Sequence, residues 1–210
     1  KKKKDMELKH QKIKTKNLFY LFKHLLYALV FVSVVELIKY HLNIVEPDNN
    51  KLKEEFMSNF IFSFFVAICL SPIIEELVFR LPLIKGDYFI ISIVLSFIFL
   101  TTSSYIFVKI ILSLFVALFV FYQFYNHSNT LQCILIITSI LAFVIIHFDN
   151  FNTKDLENYG LINTIFLFLP QFFLAILITK IRMETTFINA VVFHSFYNLT
   201  ILSFALFFNI

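Results

Sequence analysis

The sequence predicts an all-α protein, a polytopic transmembrane helical bundle with about seven membrane segments and its N-terminus inside. Of the 210 residues, 59% are hydrophobic and only 15% are charged, whereas about a quarter of a soluble domain is charged. Two glycines and four prolines are too few for the turns of a β-rich fold or for a disordered chain. Apolar stretches also recur at about the 20 residues that a membrane-spanning helix needs.

Seven apolar segments make up the predicted bundle. In chain order they cover about 18–41, 56–84, 88–101, 104–126, 131–148, 162–180 and 186–208. The third segment is short for a spanning helix, so we expect either a tilted helix or a re-entrant piece there. Pro72 and Pro170 should each bend or interrupt the helix that contains it, because proline has no backbone N–H.

The beginning of the chain differs from the rest. Residues 1–17 are rich in lysine and are predicted to form a basic cytoplasmic flank, while residues 18–210 form a single transmembrane domain. A nucleic-acid-binding tail is the alternative interpretation of such a run. Because lysines commonly flank the cytoplasmic end of a membrane helix, we favour the flank and expect no nucleic-acid partner.

Basic residues also orient the bundle, since cytoplasmic loops carry an excess of Lys and Arg. With the N-terminus inside, the other basic loop residues fall inside as well: Lys85, Lys180 and Arg182. The acidic or mixed loops, 46–55 and 149–157, fall outside. Seven spans then place the C-terminus outside.

Three charged residues interrupt the second segment. Glu75, Glu76 and Arg80 lie in a run that is otherwise mainly apolar, and ionisable groups at membrane depth are costly enough to indicate function. Neighbouring residues of a helix point about 100° apart, so the two glutamates cannot share one face. Glu76 can pair with Arg80 one turn later, which leaves Glu75 without a basic partner on its helix. We predict Glu75 as a general base and Glu76–Arg80 as a structural pair; a salt bridge that only fixes packing is the alternative.

Two further polar motifs have helical spacing. Phe143 and His147 are four residues apart at the end of the fifth segment, and His194 and Asn198 are four apart in the last one. Alone, His147 would be interpreted as a helix-end histidine bonded to a carbonyl, and His194 with Asn198 as hydrogen bonding between helices. Together with Glu75 they favour an active site built between three transmembrane helices.

Helix rise predicts how deep these residues lie. Glu75 and His194 should lie roughly 12–15 Å from the cytoplasmic face, near the middle of a ~30 Å core. His147 should lie deeper by about 10 Å, a difference that tilt or a later helix start must absorb. A hydrolase needs water, so we expect the three residues to share a hydrated cavity that opens to the cytoplasm. The alternative is a closed bundle that no solvent enters.

The motifs resemble those of the CAAX-protease and bacteriocin-processing (CPBP) family of intramembrane endopeptidases, which includes the Ras-converting CAAX endopeptidase. That family has Glu-Glu-x-x-x-Arg on one core helix, Phe-x-x-x-His on the next and His-x-x-x-Asn on a later one. The present chain has the three motifs in the same order within a core at about 71–200: Glu75-Glu76-x-x-x-Arg80, Phe143-x-x-x-His147 and His194-x-x-x-Asn198.

The resemblance implies an intramembrane endopeptidase and a role for each motif residue. Glu75 and His147 would activate a water molecule for attack on a peptide carbonyl. His194 and Asn198 would hold the developing oxyanion, a form of stabilisation that typically contributes several kcal/mol. Three residues would support the site structurally: Glu76, Arg80 and Phe143.

The resemblance also bears on cofactors, partners and location. Family members are described both as zinc metalloproteases and as glutamate-dependent enzymes without a metal. Zinc is therefore a possible cofactor, with Glu75, His147 and His194 as its three possible ligands. The expected partners are a peptide or protein-tail substrate and the lipid bilayer. The expected location is integral to a bacterial inner membrane.

The chain departs from the family pattern in two respects. Leu81 stands where the family usually has glycine directly after the arginine. In addition, 72 residues separate Glu75 from His147, a longer spacing than is usual. The extra length corresponds to the segments 88–101 and 104–126. An even number of added spans preserves helix direction, so His147 can still reach the site of Glu75.

Two other classes of function are compatible with a polytopic helical protein. A non-catalytic membrane immunity or scaffolding protein could retain the protease fold, but it would have no need of all four proposed catalytic residues. A transporter could use buried charges as a proton or substrate path. Transporters often have paired halves or an internal repeat, and this sequence contains none.

Overall fold

The computed structural model describes residues 2–44, 56, 58–84, 89–124, 128–151, 156 and 159–208, with side chains from residue 18 onward. The elements in these ranges are helices, which confirms the predicted all-α fold. They are α1 (Lys2–His41), α2 (Phe60–Phe65), a π-helix (Val66–Leu70), α3 (Ser71–Phe79), a 3₁₀-helix (Leu81–Leu83), α4 (Phe89–Thr102), α5 (Ile106–Phe124), α6 (Asn129–Ile146), a second 3₁₀-helix (His147–Asn150), α7 (Leu161–Glu184) and α8 (Phe187–Phe208).

Six helical stretches in the described part of the chain are long and apolar enough to cross a membrane. They are Leu18–His41, Phe60–Leu83, Ile106–Phe124, Asn129–Asn150, Leu161–Glu184 and Phe187–Phe207. The surface of the bundle is correspondingly apolar: Ile61 and Phe207, for example, are each 82% exposed. Exposed apolar surface over so many helices is expected only where lipid covers it. The chain is an integral membrane protein.

The short third segment is one helix, α4, and the re-entrant alternative is wrong. With 14 residues, α4 rises about 21 Å, which is less than the ~30 Å of a bilayer core. Near its beginning the Ser92 hydroxyl donates to the Leu77 carbonyl at 2.6 Å. Just after its end the Ser104 amide donates to the Asp149 carboxylate at 2.8 Å. Helix α4 therefore runs in one direction, from the end of α3 to the end of α6.

Helix α1 continues through the Lys-rich flank. It runs from Lys2 to His41 without interruption, so the boundary between residues 17 and 18 is not a break in secondary structure. Forty residues rise about 60 Å, twice the thickness of the apolar core. The spanning half packs against α7, where the rings of Phe31 and Phe173 stack at 4.0 Å and the Tyr20 hydroxyl donates to Glu184.

The two membrane prolines have different effects. Pro72 is the second residue of α3 and directly follows the π-helix, so the predicted disturbance is present and takes the form of a wider helical turn. Pro170 lies inside α7, which continues unbroken from Leu161 to Glu184. Of the two predicted effects, bending or interruption, the structure excludes an interruption at Pro170, since membrane helices can tolerate an internal proline.

The predicted topology leads to the first experiment. Single cysteines at Asn50, Asn129 and Asn158, in a variant whose Cys69 and Cys133 are alanine, should differ in access to a membrane-impermeant maleimide. Asn129 begins α6 on the side of the Lys-rich flank; Asn50 and Asn158 lie outside the described residues. Because Lys and Arg mark the cytoplasmic side, reagent added outside should label positions 50 and 158 but not 129. Labelling at 129 in intact cells would reverse the orientation.

Candidate active site

The predicted ion pair between Glu76 and Arg80 is present in α3. Arg80 Nε lies 3.7 Å from Glu76 Oε2, and both side chains are fully buried. Arg80 Nη2 also donates to the carbonyl of Ala175 in α7, at 3.5 Å. The pair therefore ties α3 to α7 in addition to closing one turn of its own helix.

Phe143 is the residue on which the three motifs converge. Its fully buried ring lies 4.1 Å from Arg80 Cζ. The same ring lies 4.9 Å from the His147 ring and 5.7 Å from the His194 ring, measured between centroids. His147 is therefore not displaced in depth from the other two motifs, in contrast to the displacement that helix rise alone predicted. Helices α3, α6 and α8 meet at one level.

His194 connects the two glutamates. Its Nδ1 lies 3.1 Å from Glu76 Oε1, and its Nε2 lies 3.7 Å from Glu75 Oε2. The ring itself is almost fully buried. Since neighbouring helix residues point about 100° apart, one imidazole between the two carboxylates can face each with a different nitrogen. Spacing within the sequence did not predict this bridge.

Glu75 has one oxygen held and the other without a hydrogen bond. The Ser71 hydroxyl donates to Oε1 of Glu75 from one turn earlier in α3. Within the described part of the chain, the buried Oε2 has no hydrogen-bond partner, although His194 lies nearby. An unsatisfied carboxylate oxygen in a buried position is costly and is typical of a site that binds something else. Ser71 was not among the predicted site residues, although its i,i+4 spacing to Glu75 indicates that the two side chains can meet.

His147 ends α6 and begins the following 3₁₀-helix. Its Nδ1 lies 2.8 Å from the carbonyl of Phe143. A carbonyl only accepts hydrogen bonds, so Nδ1 carries the proton and Nε2 of the neutral ring is an acceptor. The alternative interpretation, a helix-end histidine bonded to a carbonyl, is therefore correct for Nδ1. Nε2 retains the lone pair that a base requires.

Asn198 contacts the π-helix. Its Nδ2 donates to the carbonyl of Ala67 at 2.8 Å. This contact joins α8 to the second membrane segment, and it occupies one of the two amide hydrogens. The resemblance had implied only an oxyanion-binding role for Asn198.

One cavity brings the predicted residues together. It has a volume of about 750 Å³, within the range of ligand-binding pockets. Glu75, His147, His194 and Asn198 all line it. The prediction that Glu75, His147 and His194 share a cavity is confirmed, and the alternative of a closed bundle without such a cavity is wrong.

The cavity reaches the end of the bundle opposite the Lys-rich flank. Its lining includes Glu36 and Lys39 in the last turns of α1, Thr102 at the end of α4, and Asp149 after α6. Glu36 and Lys39 form an ion pair at 2.8 Å. The predicted opening towards the cytoplasmic flank is wrong; on the predicted topology, the cavity opens outside.

The flank side of the site is closed by packing and hydrogen bonds. Arg182 Nε donates to the Arg80 carbonyl at 3.4 Å, and Gln123 Nε2 donates to the Pro82 carbonyl at 3.0 Å. Leu83 next to them is fully buried. Distance along a helix gives the depth of a residue but does not show which end of the bundle is packed, and this explains the wrong direction.

The three possible zinc ligands are not arranged around a common ion. Among the described residues, no group of three or more His, Cys, Asp or Glu side chains could hold a metal. As placed, Glu75, His147 and His194 therefore do not form a set of three ligands around one point.

The fold and the site define a class of protein: an integral membrane helical bundle with a buried glutamate–histidine cluster at the base of a cavity. Comparisons with protein-family models, with curated proteins and with solved structures find no match to this chain. The resemblance in motif order and the geometry of the site therefore carry the functional argument.

Proposed function

We propose that the protein is an intramembrane endopeptidase that hydrolyses peptide bonds in membrane-presented peptides or protein tails. The observation that carries this proposal is the single cavity lined by Glu75, His147, His194 and Asn198. The order of the three motifs, similar to that in CAAX-type proteases, supports the same activity. A bacterial inner membrane is the location that we propose, with bacteriocin-like or other peptides as more suitable substrates than prenylated proteins.

Glu75 and His147 act on the attacking water. Ser71 fixes Oε1 of Glu75, so Oε2 accepts a proton from a water molecule while Nε2 of His147 accepts a hydrogen bond from the same molecule. The resulting hydroxide adds to the peptide carbonyl and forms a tetrahedral intermediate. Glu75 then returns the proton to the departing amine, so the two proton transfers balance.

His194 and Asn198 stabilise the oxyanion. Nδ1 of His194 donates to Glu76, and a second proton on Nε2 makes the ring cationic, a charge that the two flanking carboxylates balance. The Nε2–H group and the remaining amide hydrogen of Asn198 are the donors for the oxygen. Preorganised donors in a site shielded from water are effective because little reorganisation accompanies the reaction.

Cleavage by purified protein tests the proposal. The wild type and Glu75→Gln are reconstituted in lipid vesicles with a mixture of apolar peptides, and products are identified by mass spectrometry. Glutamine keeps the size of Glu75 and can still accept from Ser71, but it cannot take a proton from water. We expect specific products from the wild type and a loss of roughly 10²–10⁴-fold in Glu75→Gln. Equal turnover by the two proteins would falsify the assignment, and no cleavage by either would favour the non-catalytic immunity or scaffolding alternative.

A further inference from the structure

One face of the second membrane segment follows the cavity from its mouth to Glu75. The cavity-lining residues of this segment fall in two columns, each with a strict spacing of four. The first column is apolar and consists of Phe62, Val66, Leu70 and Ile74. The second consists of small residues that end at the glutamate: Ser63, Ala67, Ser71 and Glu75.

An ordinary α-helix would not align these columns. Residues four apart on an α-helix drift by about 40°, so Phe62 and Ile74 would point about 120° apart. The π-helix at Val66–Leu70 lies between them and has about one more residue per turn than an α-helix. This extra residue cancels about 100° of the 120° by which Phe62 and Ile74 would otherwise diverge. The π-helix is therefore what directs both columns into the cavity.

Two residues explain why the wide turn is stable at this position. In the π-helix the Ser71 amide donates to the carbonyl of Val66, five residues earlier. The next hydrogen bond of this i→i−5 pattern would run from residue 72 to the carbonyl of Ala67, but residue 72 is proline and has no N–H. The amide of Asn198 donates to the Ala67 carbonyl instead. Asn198 thus supplies the hydrogen bond that Pro72 cannot make.

The column of small residues ends at Glu75, one of whose carboxylate oxygens has no hydrogen bond within the described part of the chain. Glu75 is only 8% exposed, it lines the cavity, and its Oε2 has no hydrogen-bond partner among the described residues. Small side chains let another backbone approach a helix closely. From Ser63 to Glu75 the helix rises about 18 Å, the length of roughly five to six residues of extended peptide.

We propose that the column Ser63–Ala67–Ser71 is a substrate track, on which an extended apolar peptide lies with its scissile bond at Glu75. The peptide enters from the end of the bundle opposite the Lys-rich flank, and its side chains lie against the apolar column. Asn198 positions the track by stabilising the π-helix. The assignment of a peptide substrate rests on the proposed peptidase function. The geometry of the track rests only on the cavity lining and the π-helix.

Cysteine accessibility tests the track without a substrate. Single cysteines at Ser63, Ala67 and Ser71 are compared with cysteines at Phe65 and Ile73, which are 56% and 42% exposed but do not line the cavity. The native cysteines are replaced by alanine, and a small charged methanethiosulfonate is added on the cavity side. Thiolates react in water, so we expect the track positions to react at least about tenfold faster than the controls. Equal rates at neighbouring track and control positions would overturn the track.

A block within the column provides a second test. Ala67→Leu should slow the reaction of a cysteine at position 71, which lies deeper, but not of one at position 63, which lies nearer the mouth. Asn198→Leu removes the side-chain amide while keeping a similar volume. Because the π-helix would lose its hydrogen bond, a cysteine at position 63 should then react no faster than one at position 65. Asn163→Leu is the matched control, because the Asn163 amide donates to the Tyr159 carbonyl at 2.7 Å, away from the π-helix. An unchanged pattern in Asn198→Leu would remove its positioning role.

Peptide cleavage separates the track from the catalytic proposal. In the vesicle assay Ala67→Leu should raise KM at least about tenfold with little change in kcat, since it obstructs binding and leaves Glu75 in place. If the wild type and Ala67→Leu cleave the same peptides equally well, the track is wrong and the peptidase assignment stands. If the wild type cleaves none, the peptidase assignment and the substrate assignment both fail, whatever the labelling pattern.

Discussion

Arg80→Ala should lower the stability of the protein by roughly 3–5 kcal/mol, because removal of one partner of a buried ion pair leaves the other charge uncompensated. Glu76 would be that charge, and it is fully buried. The same substitution removes the hydrogen bond to Ala175 and the cation from the face of Phe143. Thermal unfolding in detergent should show a loss of roughly 6–20 °C for a protein of this size.

Two further variants make this prediction specific. Lys180→Ala removes an exposed cation one turn before the end of α7. This variant should leave the midpoint of thermal unfolding nearly unchanged, because exposed charges contribute little to stability. The double variant Glu76→Gln with Arg80→Leu removes both charges and should recover part of the lost stability. If Arg80→Ala unfolds like the wild type but has no peptidase activity, Arg80 belongs with the reacting groups and the structural assignment is wrong.

His147→Ala should lower kcat by roughly 10²–10⁴-fold, the usual contribution of a positioned general acid–base group. The hydrogen bond of its ring to the Phe143 carbonyl is local to the end of α6, so the variant should remain folded. Kinetics in lipid vesicles and thermal unfolding, measured on the same preparation, separate the two effects. Because His147 and Glu75 act on one water molecule, His147→Ala with Glu75→Gln should be hardly worse than either single variant.

The chain contains a matched control for this substitution. His24 is buried, and its Nδ1, like that of His147, lies 2.8 Å from the carbonyl of the residue four positions earlier, here Tyr20. It does not line the cavity. His24→Ala therefore reproduces the loss of a histidine bonded to a carbonyl one turn earlier, without the loss of a group at the site. Similar losses of kcat in the two variants would attribute the effect to packing and refute the proposed role of His147.

Local chemistry was sufficient to predict the helices and the identity of the polar residues. Spans of about 20 apolar residues form helices in a membrane because each backbone group must be satisfied within its own segment. The i,i+4 pairing of Glu76 with Arg80 follows from helix geometry in the same way. Pro72 was recognised as a disturbance, but a π-helix could not be distinguished from a kink, because the Asn198 amide that completes it comes from a residue far along the chain.

Contacts between distant segments were not predictable from spacing. The bridge from His194 to both glutamates depends on how α8 rotates against α3. The central position of Phe143 depends on the crossing of α3, α6 and α8. Whether Glu75, His147 and His194 come together as a set of three ligands depends on the same contacts, because a plausible set of ligand types says nothing about the directions in which their lone pairs point.

The sequence by itself determined that this protein is a helical membrane bundle and which polar side chains lie within it, because hydrophobicity and helical period are properties of each segment. Only the tertiary structure decided that Glu75, His147, His194 and Asn198 share one cavity, and that the cavity opens opposite the Lys-rich flank. The direction of opening depends on which end of the bundle is filled by side chains. At the flank end, Arg182 and Gln123 bind the carbonyls that follow α3, and no single segment contains the information for that closure.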